Sequence, residues 1–144
     1  MSLALPAEGG CQCGAIRYRL TGEPVYLTLC HCRECQKQSG SAFGMSLRMR
    51  REHVEITGAP KTWKRLADSG NPVVCAFCET CGTRLWHEPA EAEFLHIKPG
   101  TLDDFSTVAP RYESWTQSKA EWVSLSGIEL AFERQPPSRR RDRA

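Results

Sequence analysis

From Ala15 to about Gln117, apolar and polar residues alternate in short stretches broken by Gly, Pro, Asn and Asp. Alternation with a period of two puts successive side chains on opposite faces of an extended chain, so these stretches predict half-buried strands rather than helices. Ala15-Ile-Arg-Tyr-Arg-Leu20 and Phe43-Gly-Met-Ser-Leu-Arg-Met49 show it most clearly, and residues 54–56, 61–66, 73–77, 94–97 and 112–115 extend the series. Turns fall at Gly58-Ala-Pro60, Ser69-Gly-Asn-Pro72, Pro99-Gly100 and Pro110. Helix is expected only as one or two turns over residues 33–39 and another starting at the cap-like Thr101-Leu-Asp-Asp104. The fold class is therefore expected to be mainly β, with short antiparallel strands and one or two short helical turns.

A chain of 144 residues and 16.2 kDa suits one domain, here assigned to residues 1–133. No apolar run approaches the roughly 20 residues a membrane-spanning helix needs. Residues 1–10 lack the basic start and apolar stretch of a secretory signal, so a cytoplasmic protein without membrane partners is expected. The net charge of +2 hides an asymmetry: residues 134–144 carry five arginines and one aspartate, a balance of +4, which leaves −2 for the rest. That tail reads as a disordered, solvated charge run. Trp63, Trp86, Trp115 and Trp122 are scattered and not interleaved with a basic stripe, so they are expected in core or rim packing rather than stacking on nucleic-acid bases.

Eight cysteines change the picture. They stand at Cys11, Cys13, Cys30, Cys32, Cys35, Cys75, Cys78 and Cys81, as C-x-C, C-x-C-x-x-C and C-x-x-C-x-x-C. Disulfide frameworks spread cysteines so that bridges close loops, whereas a metal needs several thiolates about 2.3 Å from one point, which short turns supply. Tight clusters in a chain with no export signal point to zinc. Gly14 and Gly82, just after their cysteine pairs, suit knuckles in which the backbone turns through positive φ and amides face sulfur.

If the outer groups pool their ligands, Cys11, Cys13, Cys78 and Cys81 complete a closed, structural four-thiolate site. Cys30, Cys32 and Cys35 then supply three thiolates and no fourth, unless His31, His87, His96 or Cys75 reaches in. His31 lies between two cysteines, where an extended chain turns its side chain away from theirs. Cys75 falls in an apolar run and is expected to be buried. A five-to-three partition, or one zinc with spare thiols, satisfies the spacing too. An open three-thiolate zinc would be a Lewis acid able to hold an incoming thiol as thiolate. Arg33 and Lys37, beside that group, are candidates for holding a substrate carboxylate or simply form the solvated face of a helical turn. His53, His87 and His96 are assigned to surface or satisfied core positions, and Asp103 and Asp104 to capping rather than acid-base work.

Gly10-Cys-Gln-Cys-Gly14, Cys30-His-Cys-Arg-Glu-Cys-Gln-Lys37 followed by Ser39-Gly-Ser-Ala-Phe43, and Phe77-Cys-Glu-Thr-Cys-Gly82 together resemble the glutathione-dependent formaldehyde-activating enzyme family, which includes centromere protein V-like proteins. Gly100-Thr-Leu-Asp-Asp104 and the stretch from Trp115 to Trp122 extend the likeness over residues 9–133. The resemblance implies a zinc-stapled β-tent with two zinc ions, a structural one on Cys11, Cys13, Cys78 and Cys81 and a catalytic one on Cys30, Cys32 and Cys35. It also implies a carbon-sulfur lyase that joins glutathione and formaldehyde into S-(hydroxymethyl)glutathione. Cys75 has no counterpart in the motif. The competing class is a non-catalytic binding module with both zincs structural. An open central site favours the enzyme, and a fourth protein ligand there would favour the module.

Overall fold

The computed structural model describes residues 2–136; residues 137–144, which hold most of the arginine tail, lie outside it. Among the described residues, eleven strands and one α-helix follow in chain order: β1 (Ala7–Gly10), β2 (Arg17–Leu20), β3 (Tyr26–Cys30), α1 (Arg33–Ser39), β4 (Gly44–Arg50), β5 (Val54–Thr57), β6 (Lys61–Leu66), β7 (Pro72–Phe77), β8 (Arg84–Glu88), β9 (Phe94–Ile97), β10 (Tyr112–Ser114) and β11 (Leu130–Ala131). The chain divides into two compact units. The first comprises residues up to Leu27 and Met45–Ala109, and the second Thr28–Gly44 and the residues from Pro110 on.

In the first unit β2 pairs antiparallel with β1 on one side and β5 on the other, while β4, β9, β8, β7 and β6 lie in that order, each antiparallel to the next. The expected alternation is realised in β4, whose Leu47 and Met49 are fully buried while Arg48 and Arg50 point the other way. Leu47 and Met49 join Leu20, Leu85, Leu95 and Ile97 in one apolar core, each contributing about 1.5–3 kcal/mol of burial free energy. Edge strand β6 is exposed along nearly its whole length and carries Lys61, Lys64 and Arg65, charges that discourage pairing with another chain.

In the second unit β10 lies between β3 and β11, and both pairings are parallel, unlike the antiparallel pattern expected throughout. Parallel neighbours need no hairpin between them, so turn signals could not announce them. Helix α1 covers the expected residues. The Cys32 sulfur accepts a hydrogen bond from the N–H of Cys35 at its start, and Gly40 closes it in the left-handed region with φ 59°.

The helical turn expected to start at Thr101 lies instead at Pro99–Thr101, and further single turns, at Arg51–His53 and Thr116–Ser118, were not expected. Proline at the first helical position starts the Pro99–Thr101 turn, with φ already fixed and no N–H to satisfy. Asp103 instead forms a two-pronged ion pair with Arg17, and Asp104 accepts from the N–H and hydroxyl of Ser106. Strands β1 and β8 carry no clear period-two signal, since β1 ends in two glycines and β8 is buried on both faces, whereas β3 alternates with Leu27 and Leu29 inward, a pattern not singled out from the sequence.

Candidate metal centres

Cys11 and Cys13 follow β1 directly, and Cys78 and Cys81 follow β7, past a β-bulge between Ala76 and Phe77. Their four sulfurs lie within 4.8 Å of one another. The Cys11–Cys13 and Cys13–Cys78 sulfur separations are 3.6 and 3.7 Å. A tetrahedron with 2.3 Å zinc-sulfur bonds has edges of about 3.8 Å, so the donor set fits a zinc ion.

Both knuckle glycines have positive φ, 81° at Gly14 and 77° at Gly82. Their N–H groups donate back to the carbonyls of Cys11 and Cys78 at 3.1 and 2.8 Å. The N–H of Ile16 donates to the Cys11 sulfur at 3.2 Å. Burial alone would push the Cys11 thiol up, and this N–H with the neighbouring thiols outweighs it and holds it below its ordinary value. Thr83 was not singled out from the sequence, yet its hydroxyl lies 3.2 Å from the Cys81 sulfur and, with its N–H, draws that thiol down to about 5. The same hydroxyl accepts from the N–H of Gln12 at 3.1 Å, tying the two knuckles together.

In the second unit Cys30 ends β3, Cys32 caps α1 and Cys35 sits in the first turn of that helix. Their sulfurs also lie within 4.8 Å of one another, and no fourth His, Cys, Asp or Glu among the described residues joins them. Cys30 and Cys32 beside it, with burial, push the Cys35 thiol far up, while Cys30 and Cys35 hydrogen-bonded to it hold Cys32 far down. Three sulfurs this close cannot all be thiolates unless a cation sits among them, and a soft divalent ion is the cation thiolates prefer.

His31 is fully buried and does not join the three-sulfur group. Its Nε2 lies 2.8 Å from Oε2 of Glu113, its face meets Phe43 edge-on at 5.8 Å, and its Nδ1 has no hydrogen-bond partner. Lys119 donates to both Glu113 oxygens, at 3.0 and 3.2 Å. Parallel register places Glu113 opposite Leu29 and Ser114 opposite Cys30, and the N–H of His31 donates to the carbonyl of Ser114 at 3.0 Å. Glu113 lies 82 residues from His31, and Lys119 is farther still, and nothing in the local pattern marks either of them.

Burial would raise the Glu113 carboxyl, but the bonds from His31 and Lys119 prevail and hold it below its ordinary value. A depressed carboxylate contributes stability that is present above its unfolded pKa and lost as pH falls through the folded one. Glu113→Ala is expected to cost roughly 3 kcal/mol, because it leaves the buried His31 and half-buried Lys119 without their acceptor. Urea titration should show this loss at pH 7 and a smaller one at pH 4; an unchanged midpoint would refute it.

The other candidate residues separate clearly. Arg33 and Lys37 lie on the exposed face of α1, where Arg33 Nη1 donates to Gln36 Oε1 at 2.6 Å. Cys75 is fully buried and outside both sulfur groups. Trp86 is core, whereas Trp63 and Trp122 are exposed, a departure from packing roles for all four tryptophans. His87 also departs from expectation, being buried with an unpartnered Nε2.

Residues 6–118 match the family described as glutathione-dependent formaldehyde-activating enzyme. The chain belongs to this family. It is 27% identical over 129 residues to a Halomonas elongata protein named for glutathione-dependent formaldehyde activation, an alignment covering 85% of this chain and 82% of that one. A crystal structure of a Rhodobacter sphaeroides protein shares the fold with a TM-score of 0.53 at 18% identity, covering 87% of this chain and 98% of that chain. Both cysteine groups of this chain fall inside the matched segment, so the sulfur clusters belong to the matched domain rather than to an appendage.

Proposed function

We propose that the protein is a zinc enzyme of the carbon-sulfur lyase type that reversibly adds the thiol of glutathione, or of a related small thiol, to formaldehyde or a similar aldehyde. The three-sulfur group of Cys30, Cys32 and Cys35, with no fourth donor from the described residues, carries this reading, because catalytic zinc sites typically keep one position for substrate. Family membership supports it, as does the name of the Halomonas relative. A second zinc on Cys11, Cys13, Cys78 and Cys81 would be structural. A reducing, cytoplasmic setting, which keeps such thiols free, fits the same reading.

Zinc bound by Cys30, Cys32 and Cys35 would supply Lewis acidity that favours a thiolate near neutral pH. The chain's own residues fix the geometry. Helix α1 holds Cys32 and Cys35 one turn apart on a rigid element, and β3 holds Cys30 in register with Ser114. Glu113 and His31 lock the segment between Cys30 and Cys32, so the donors need not reorganise when substrate arrives. In the forward direction the thiol sulfur bonds to the carbonyl carbon, the carbonyl π pair moves to oxygen, and the proton given up by the thiol ends on that oxygen. The product is a hydroxymethyl thioether, with no redox change.

The test is the exchange rate between formaldehyde, glutathione and their adduct at equilibrium, followed by proton magnetisation transfer with the zinc-loaded protein present. Acceleration well above the buffer rate is expected. A rate equal to buffer, with both zincs bound and no thiol adduct by native mass spectrometry, would leave the chain a non-catalytic zinc module.

A further inference from the structure

Among the described residues Trp115 is the one residue other than glycine with positive φ, 58° with ψ 41°. In that left-handed region Cβ crowds the carbonyl that follows, so a bulky aromatic residue stays there only where its surroundings hold it. Here the surroundings are the residues that follow β11. The N–H of Phe132 donates to the carbonyl of Glu113 at 3.0 Å. In return the N–H groups of Trp115, Thr116 and Gln117 donate to the carbonyls of Arg134, Phe132 and Glu133 at 3.3, 3.1 and 3.3 Å. The indole joins in: Trp115 Nε1 donates to Gln135 Oε1 at 3.4 Å, and the Arg134 guanidinium lies over the ring, 5.3 Å from its centroid. Residues 132–135 lie beyond the segment that matches the family, residues 6–118.

Within the second unit Trp115 turns the chain between two contacts with the elements that carry the three sulfurs. Before it, Ser114 stands opposite Cys30 in the β3–β10 register, its carbonyl accepts from the N–H of His31 at 3.0 Å, and its hydroxyl donates to the carbonyl of Leu29 at 3.3 Å. After it, the single turn Thr116–Ser118 brings Ser118 to α1, where its carbonyl accepts from Gln36 Nε2 at 3.0 Å. Gln36 follows Cys35 directly in the helix that Cys32 caps. The segment from Ser114 to Ser118 therefore ties β3, which carries Cys30, to α1. Rotating Trp115 out of the left-handed region re-aims every residue after it, so both contacts persist together only while its φ stays positive.

We propose that Trp115 is a positioning residue for the three-sulfur centre, and that residues 132–135 are the latch that holds it in its strained conformation. The latch keeps Cys30 placed against Cys32 and Cys35, and outer contacts that fix donors in place raise the grip of a site on its metal. The inference rests on reading that group as a zinc centre and adds what sets its hold on the ion.

The test follows zinc release from the zinc-loaded full chain to an excess of chelator, with a metal-sensitive dye. The phase missing from Cys35→Ser belongs to the three-sulfur centre. Trp115→Ala loses the ring's contacts with Arg134 and Gln135 yet keeps a Cβ that disfavours positive φ, so that phase alone should run about tenfold faster or more. Trp115→Gly loses the same contacts but adopts this φ without strain, and its release should stay within about threefold of the parent. Replacing Arg134 and Gln135 together by alanine alters only exposed side chains and guards against a folding failure at position 115. It should speed the same phase, and Trp115→Gly added to it should restore the slow rate. Amide hydrogen exchange gives a readout free of metal: the N–H groups of Trp115, Thr116 and Gln117 should exchange faster in Trp115→Ala and near the parent rate in Trp115→Gly. The proposal falls if alanine and glycine at position 115 release zinc alike, if the four-sulfur phase accelerates equally, or if those three amides keep the parent rate in Trp115→Ala. A parent with no release phase that depends on Cys35 refutes the zinc reading and the latch with it, whereas equal rates with that phase present refute the latch alone.

Discussion

Cys78→Ser is expected to remove one bound zinc and, with it, the cooperative fold of the first unit. Cys78 is buried and its sulfur lies 3.7 Å from that of Cys13, sixty-five residues earlier in the chain. A metal held by Cys11, Cys13, Cys78 and Cys81 therefore joins the turn after β1 to the turn after β7, a connection that loop closure alone would disfavour. Structural zinc sites in small domains are worth about 10–16 kcal/mol at neutral pH, as much as the whole stability of a typical domain, about 5–15 kcal/mol. The expected result is thus loss of the thermal transition rather than a shifted one, with dispersed amide resonances of β7 and β8 collapsing. Cys75→Ala is the contrasting control. That sulfur is just as buried but outside both groups, so only a small cavity cost of about 1–2 kcal/mol is expected, with the zinc count unchanged. A Cys78→Ser protein that kept both zincs and melted like the parent would refute the ligand assignment.

Much of this was legible in the chain because metal turns and amphipathic strands are local. The C-x-C and C-x-x-C spacings carry their own geometry, and the structure brings Cys11 and Cys13 to Cys78 and Cys81 and keeps Cys75 apart. Strand β6 and strand β9 occupy the residues that alternation and turn signals marked. What stayed hidden depends on long-range pairing. The parallel contact of β10 with β3 carries Glu113 to His31, and no periodicity in either segment announces a partner eighty residues away. His87 was assigned to a surface or satisfied core position, and only the packing of neighbouring strands buries it with its Nε2 unpartnered.

Cys35→Ser should separate chemistry from folding. Its sulfur is one of three in the second group, so a serine there removes a soft donor and leaves two, too few to hold zinc tightly against solvent. Formaldehyde-glutathione exchange is expected to fall to the buffer rate, a loss of at least a thousandfold if thiol activation depends on this centre. The fold should survive. Helix α1 keeps its Cys32 cap and its left-handed Gly40, and serine at position 35 retains the N–H that donates to Cys32. The Glu113–His31–Lys119 network involves no atom of Cys35, and the four sulfurs of the first unit are untouched. Native mass spectrometry should therefore count one zinc where two are expected for the parent, with a melting point within a few degrees of it. Glu113→Ala should show the opposite pattern, with both zincs retained and stability reduced. If Cys35→Ser loses its second zinc yet still accelerates exchange, the reaction runs without that centre and the three-sulfur site is structural.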